Sequence, residues 1–157
     1  MLNFKTLSIL FLSGIMYKID IQDDKVLQNL IAKLSIEQKL ELALNTKSPQ
    51  LLELLAKEPD PRVKAEFARS DHAPKELLEQ LATDSDWVVR AEVARNSNTP
   101  EKILWRLAED PVSNVREAVV ENDHAPKELL EKLAKDKDWH VSDAAKDRLE
   151  GQFLLRH

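Results

Sequence analysis

Residues 71–87 read DHAPKELLEQLATDSDW and residues 123–139 read DHAPKELLEKLAKDKDW; fourteen of the seventeen positions agree. The two stretches lie 52 residues apart, and half that spacing also holds. Leu52, Leu78, Leu104 and Leu130 recur every 26 residues, as do Leu55, Leu81, Leu107 and Leu133; Ala56, Ala82, Ala108 and Ala134; and Val63, Val89, Val115 and Val141. Four apolar columns in register mark an internal repeat, one supersecondary unit written several times. Proline keeps the same beat at Pro74, Pro100 and Pro126, with Pro49 one residue late. Val26, Leu27 and Leu30 precede Leu51, Leu52 and Leu55 by 25 residues and predict a degenerate first unit. About five units then run from about Asp24 to Arg148.

Within a unit, Leu77, Leu78, Leu81 and Ala82 fall on one side of an α-helix and not on one side of a strand. Pro74 suits the first helical position of this helix A, where a missing N–H costs nothing. Ser48 and Thr99 are suitable N-caps for it. A polar turn leads to WVVRAEVARN, residues 87–96, whose Val89, Val93 and Ala94 predict a shorter helix B or a 3₁₀ piece. Asp60, Asp86 and Asp138 stand where a carboxylate caps helix B; the unit with Val112 there shifts its cap to Ser113. Asn96 and Asn122 close helix B, where Asn tolerates a left-handed turn. Two short helices cannot bury both apolar faces alone, so the units must stack. At roughly 10 Å per step, they make an all-α, right-handed or gently curved solenoid about 50 Å long.

The pattern from Asp84 to Ala108, Asp-x-Asp-Trp-x-Val-Arg-Ala-x-Val-Ala-Arg-Asn-x-Asn-Thr-Pro-x-x-x-Leu-x-x-Leu-Ala, resembles the leucine-rich repeat variant family. The 26-residue period agrees with it, and the resemblance covers about four-fifths of the chain, within a helical-repeat domain read as residues 23–157. It implies a right-handed superhelix of alternating α and 3₁₀ helices, a bacterial or related source, and no common activity. Some members hold an iron–sulfur cluster on an amino-terminal cysteine cluster; with no cysteine here, that property does not carry over, and no cofactor is expected. The Asp-turn-Val-Arg portion is also similar to HEAT repeats, which are longer and lack the Asn-x-Asn-Thr-Pro connection.

Residues 1–22 stand outside the repeat. Residues 7–17 are an apolar run after Lys5, too short to span a bilayer. Three readings are open: a signal-peptide h-region without a small-x-small cleavage site, a true translation start at Met16, or an apolar cap on the first unit. The chain is expected in the cytoplasm, or exported if residues 1–17 are a signal.

Composition excludes several chemistries. Zero cysteines remove disulfides, thiolate nucleophiles and cysteine-based metal sites. The two glycines, Gly14 and Gly151, leave no phosphate-cradling loop. The net charge of −5 disfavours a generic polyanion binder. His72 and His124 each follow an Asp, but they lie two units, roughly 20 Å, apart, too far to share an ion, and read as exposed connection residues. His140 and His157 have no conspicuous partners. No Gly-x-Ser-x-Gly, His-Glu-x-x-His or calcium-loop pattern occurs, so no catalytic residue and no metal ligand is expected.

Two charged columns remain. Lys64, Arg90 and Arg116 follow the core valine, and Glu58, Asp84, Asp110 and Asp136 sit in the turn. Stacked opposite charges predict hydrogen bonds between units; a basic stripe for an acidic partner, extended by Arg69 and Arg95 and ended by Glu121 and Asp147, is the alternative. Trp105 occupies a column of Glu53, Glu79 and Glu131, a solvent-facing position. Either it folds onto the neighbouring helix or, with Arg106, it contacts a partner. Trp87 and Trp139 share a position beside the turn and are expected to pack between units. The reading is a non-catalytic scaffold binding another protein, with Trp105, Arg106, Lys64, Arg90 and Arg116 as candidate contacts. Nucleic-acid binding through the basic stripe is second, and an enzyme with a pocket between repeats rests on no motif.

Overall fold

The computed structural model describes residues 24–154; the apolar segment 1–22, with its three readings, and His157 lie outside them. Among the described residues every regular element is a helix: α1 Asp24–Ile31, α2 Ile36–Asn45, α3 Pro49–Ala56, α4 Pro61–Arg69, α5 Lys75–Leu81, α6 Trp87–Arg95, α7 Glu101–Leu107, α8 Ser113–Glu121, α9 Lys127–Leu133 and α10 Trp139–Leu154. From α3 onward the odd-numbered helices are the first members of each pair and the even-numbered ones the second.

The columns read from the sequence line one continuous core. Leu52, Leu78, Leu104 and Leu130 are at most 3% exposed, and Val63, Val89, Val115 and Val141 are fully buried. Each such Leu removed from water contributes about 1.5–3 kcal/mol, and it gains that only because a neighbouring pair covers it. Second helices pack directly on second helices, α4 on α6, α6 on α8 and α8 on α10, more closely than first helices approach one another. Small buried side chains such as Ala65, Ala91 and Ala118 permit the close approach. In α1, Leu27 and Leu30 are buried as the degenerate unit requires, but Val26 is exposed.

Several local expectations are corrected. The second helix is neither short nor 3₁₀: α4, α6 and α8 are nine-residue α-helices, whereas α5, α7 and α9 have seven residues. The i to i−3 bonds sit instead where the first helices end, as in Thr83 N–H to Gln80 O and Asp84 N–H to Leu81 O. Pro74, Pro100 and Pro126 are N-caps, one residue before the helix, with extended backbone; the fixed proline φ fits this position as well as the next. Pro49 and Pro61 do occupy the first turn. Thr99 is therefore not a cap of α7. It is buried, and its hydroxyl donates to Val93 O at 2.5 Å, sealing the end of α6. Ser48 is an N-cap that makes no side-chain cap bond.

The carboxylate caps stand as expected: Asp60, Asp86 and Asp138 accept from Arg62 N, Val88 N and His140 N at 2.9, 2.8 and 3.0 Å. The cap of α8 does not shift to Ser113, which is its first helical residue. Val112 holds the N-cap position without a side-chain bond, and its own N–H is taken by Asp110 at 2.9 Å.

Candidate functional site

Two hydrogen-bonded ladders run through the stack and decide which side chains are left for a partner. The first joins the two charged columns. Arg90 grips Asp110 with Nε at 2.7 Å and Nη2 at 3.0 Å, and Arg116 grips Asp136 with both at 2.8 Å. The remaining guanidinium nitrogen of each donates to backbone carbonyls of its own turn, Asp84 and Ser85 for Arg90, Asp110 and Pro111 for Arg116. Lys64 pairs with Asp84, and Lys39 with Glu58 at 2.7 Å. Bidentate, desolvated pairs of this kind are the strong ones.

Electrostatics follow the geometry. At Asp136 the Arg116 hydrogen bonds outweigh burial and hold the carboxyl below its ordinary value. At Asp84 and Asp110 burial pushes upward, yet the bonds from Lys64 or Arg90, together with backbone N–H donors, prevail and the net shift is again downward. A depressed folded value means stability that is present above the ordinary carboxylate pKa and lost as pH falls through the folded values. The melting temperature is therefore expected to hold near neutrality and to fall steeply below about pH 4, measured by circular dichroism. A melting temperature unchanged from neutral pH down through that range overturns this account.

The second ladder is made by Asn96 and Asn122. Both end second helices, but with extended backbone (φ −66°, ψ 127° and φ −70°, ψ 122°), not in the left-handed turn expected. Their amides are used between units. Asn96 Nδ2 donates to Ala68 O at 2.6 Å and Ser70 O at 2.9 Å, and Asn122 Nδ2 donates to Ala94 O at 2.6 Å and Asn96 O at 2.9 Å. Arg148 takes the next place in the ladder, donating to Val120 O. The sequence signal for this role was the recurrence of Asn at one column; what it bonds to, 26 and 28 residues away, needed the fold.

These ladders settle where the predicted contact residues lie. Lys64, Arg90 and Arg116 are turned inward and ion-paired, so the inter-unit reading of that column is the one the structure displays, and as a partner-facing stripe it is corrected. Arg69 and Arg95 lie nearer the surface but are also paired, with Glu66 and Glu92, and with Glu92 and Glu121. Glu121, the first acidic member of that column, receives Arg95 at 2.6 Å.

Trp105 and Arg106 remain outward on α7. Trp105 is half-buried, packed at the core margin, with its indole N–H donating to Glu101 at 3.1 Å and the Lys132 ammonium 5.6 Å from the ring centre. Lys132 in turn pairs with Glu109. Arg106 is exposed and donates to Glu79 O at 3.3 Å. Trp105 is thus partly covered, as the reading that folds it onto its neighbours expects.

Trp87 and Trp139 are the clearest departure from expectation. They do not pack between units: Trp87 is 43% exposed and Trp139 68% exposed. Each is the first residue of a second helix, and the intervening position is Ser113, too small to bridge them. The Trp139 ring lies beside the His140 ring, with centroids 3.6 Å apart. His72 and His124 are exposed in the connections, as expected. Among the described residues no group of three or more His, Asp or Glu side chains could hold a metal ion, no buried side-chain nitrogen or oxygen lacks a partner, and no helix is long and apolar enough to cross a membrane.

No family model matches the chain, and no curated protein does. Among solved structures, the chain is similar to "a leucine-rich repeat variant with a novel repetitive protein structural motif", at 22% identity and a TM-score of 0.38 over 93% of this chain and 83% of that one.

Proposed function

We propose that the chain is a non-catalytic helical-repeat scaffold that binds another protein, with Trp105 and Arg106 at the centre of one contact. The observation that carries this is a Trp105 that the fold covers only in part, beside an exposed Arg106, at a position where neighbouring units place Glu53, Glu79 and Glu131. Trp and Arg are the residue types that dominate binding energy at protein interfaces. The interior supports a structural role, since its polar groups are committed to bonds within the fold. Nucleic-acid binding would draw on Lys64, Arg69, Arg90, Arg95 and Arg116, and each of these is already matched by a carboxylate.

Immobilised full-length chain and its Trp105→Glu variant, offered the same cell extract, provide the test. The variant writes into this unit what its neighbours carry, so the helical spectrum should be unchanged. Loss of a hot-spot Trp is expected to weaken a retained partner by about 30-fold or more. A partner retained equally by both proteins removes this site.

A further inference from the structure

Along the stack, these columns of the second helices pass from charge-balanced to acidic. On α4 and α6, Glu66, Arg69, Glu92 and Arg95 form a connected run of ion pairs. One and two units later the glutamate column becomes Ala118 and Ala144, the arginine column becomes Glu121 and Asp147, and the Ala65 and Ala91 column becomes Glu117 and Asp143. Arg95 answers Glu121. Glu117, Asp143 and Asp147 take part in no ion pair among the described residues, and the two aspartates are exposed. The nearby cations are Lys137, Lys146 and Arg148, the last occupied with Val120 O and Asp123.

Trp139 opens α10, and Asp143 is one turn further along the same helix face. A polar outer surface on a terminal unit accounts for the charge, because end units must face water. It does not account for an indole that is 68% exposed.

We propose that this open face of α8 and α10 docks a basic segment of a partner protein, with an arginine or lysine over the Trp139 ring and further cations on Asp143, Asp147 and Glu117. The proposal rests on the scaffold reading and names the chemistry of what is bound. Charge complementarity selects the occupant. A cation above an indole is attracted by the ring's negative face, and the same cation gains from carboxylates that the fold leaves unmatched. Anionic lipid and nucleic acid have the wrong sign.

The probe is a labelled peptide with arginine at every third and fourth position among leucine and alanine, titrated by anisotropy into the full chain at about 50 and 200 mM salt. The same peptide with glutamate for arginine is the control. Saturable binding of the basic peptide alone is expected, weakened about 30-fold by Trp139→Ser and at least about tenfold by the Asp143→Lys/Asp147→Lys pair. Reversing two exposed carboxylates elsewhere, Glu76→Lys/Glu128→Lys, should leave affinity within about twofold. Binding that ignores Trp139→Ser, or that responds equally to both charge-reversed pairs, is adsorption to an acidic protein and overturns the proposal. So does absence of binding at low salt, or a dimer by sedimentation that Trp139→Ser makes monomeric, which would give the face to a second copy. The Trp105→Glu comparison is unaffected by any of these, so the scaffold reading can survive the loss of this one.

Discussion

Replacing Arg116 by alanine is expected to lower the free energy of unfolding by about 3–5 kcal/mol, the cost of removing one partner from a buried pair. The side chain is 5% exposed and Asp136 is 9% exposed, so the pair is largely desolvated in the folded chain. Four acceptors lose a donor at once, both oxygens of Asp136 and the carbonyls of Asp110 and Pro111, with Asp136 Oδ1 keeping the Asp138 N–H. The reciprocal test separates charge from packing. Removing both partners, Arg116→Met with Asp136→Asn, should cost less than Arg116→Ala, because no unmatched carboxylate is left in the turn. Arg116→Lys should fall between them, with a precedent inside the molecule: Lys64 holds Asp84 in the equivalent place. Because the bond ties α8 to the turn before α10, the loss should appear first as early melting of α9 and α10, broadening a urea transition followed by circular dichroism. A single sharp transition within about 1 kcal/mol of the parent would falsify the ladder's role.

The pairing of the two charged columns was readable because both follow the repeat period, and a column of cations beside a column of carboxylates has one low-energy arrangement. The buried leucine and valine columns were readable for the same reason. What escaped is instructive in its physics. Helix length is set by where hydrogen bonding stops, and the seven-residue first helices stop early because their carbonyls turn to i to i−3 bonds beside the Asp84, Asp110 and Asp136 turns. Nothing in the apolar period announces that. The position of proline relative to the first turn is a one-residue question that φ alone does not answer.

The tryptophans show a second limit. A column position predicts the same surroundings only while its neighbours are also conserved in kind within the chain. Trp87 and Trp139 share a column, but the member between them is Ser113 and the one before is Pro61, so neither indole has a large partner to lie on. Departures from a column were the better signal. Trp105 among glutamates is partly covered, and Glu117, Asp143 and Asp147, among alanines and arginines, take part in no ion pair among the described residues. In a stack whose regular positions are consumed by holding units together, the irregular ones are where the proposed partner contacts fall.

Asn122 supplies the sharpest test of that division between regular and irregular. Asn122→Ala is expected to destabilise by about 2–4 kcal/mol, since a buried group left without its partner costs about 1–3 kcal/mol. Three backbone groups are exposed to that loss: the carbonyls of Ala94 and Asn96, and the N–H of His124, which Asn122 Oδ1 accepts at 2.8 Å. Asn122 itself is 1% exposed, so these bonds are made away from solvent. Asn122→Asp is nearly isosteric and creates no cavity, yet it sets a carboxylate oxygen against two carbonyl oxygens. It should therefore destabilise at neutral pH by more than alanine does, the reverse of what a packing role predicts. Asn122→Ser has an internal counterpart in Ser70, whose hydroxyl accepts the His72 N–H at 3.2 Å. It keeps one of the three bonds and should lie nearer the parent. The order parent, serine, alanine, aspartate in urea midpoints is the expected outcome, with partner binding through Trp105 unchanged in whichever variants remain folded. An aspartate variant as stable as the parent would mean that the amide donors of this ladder do not hold the units together.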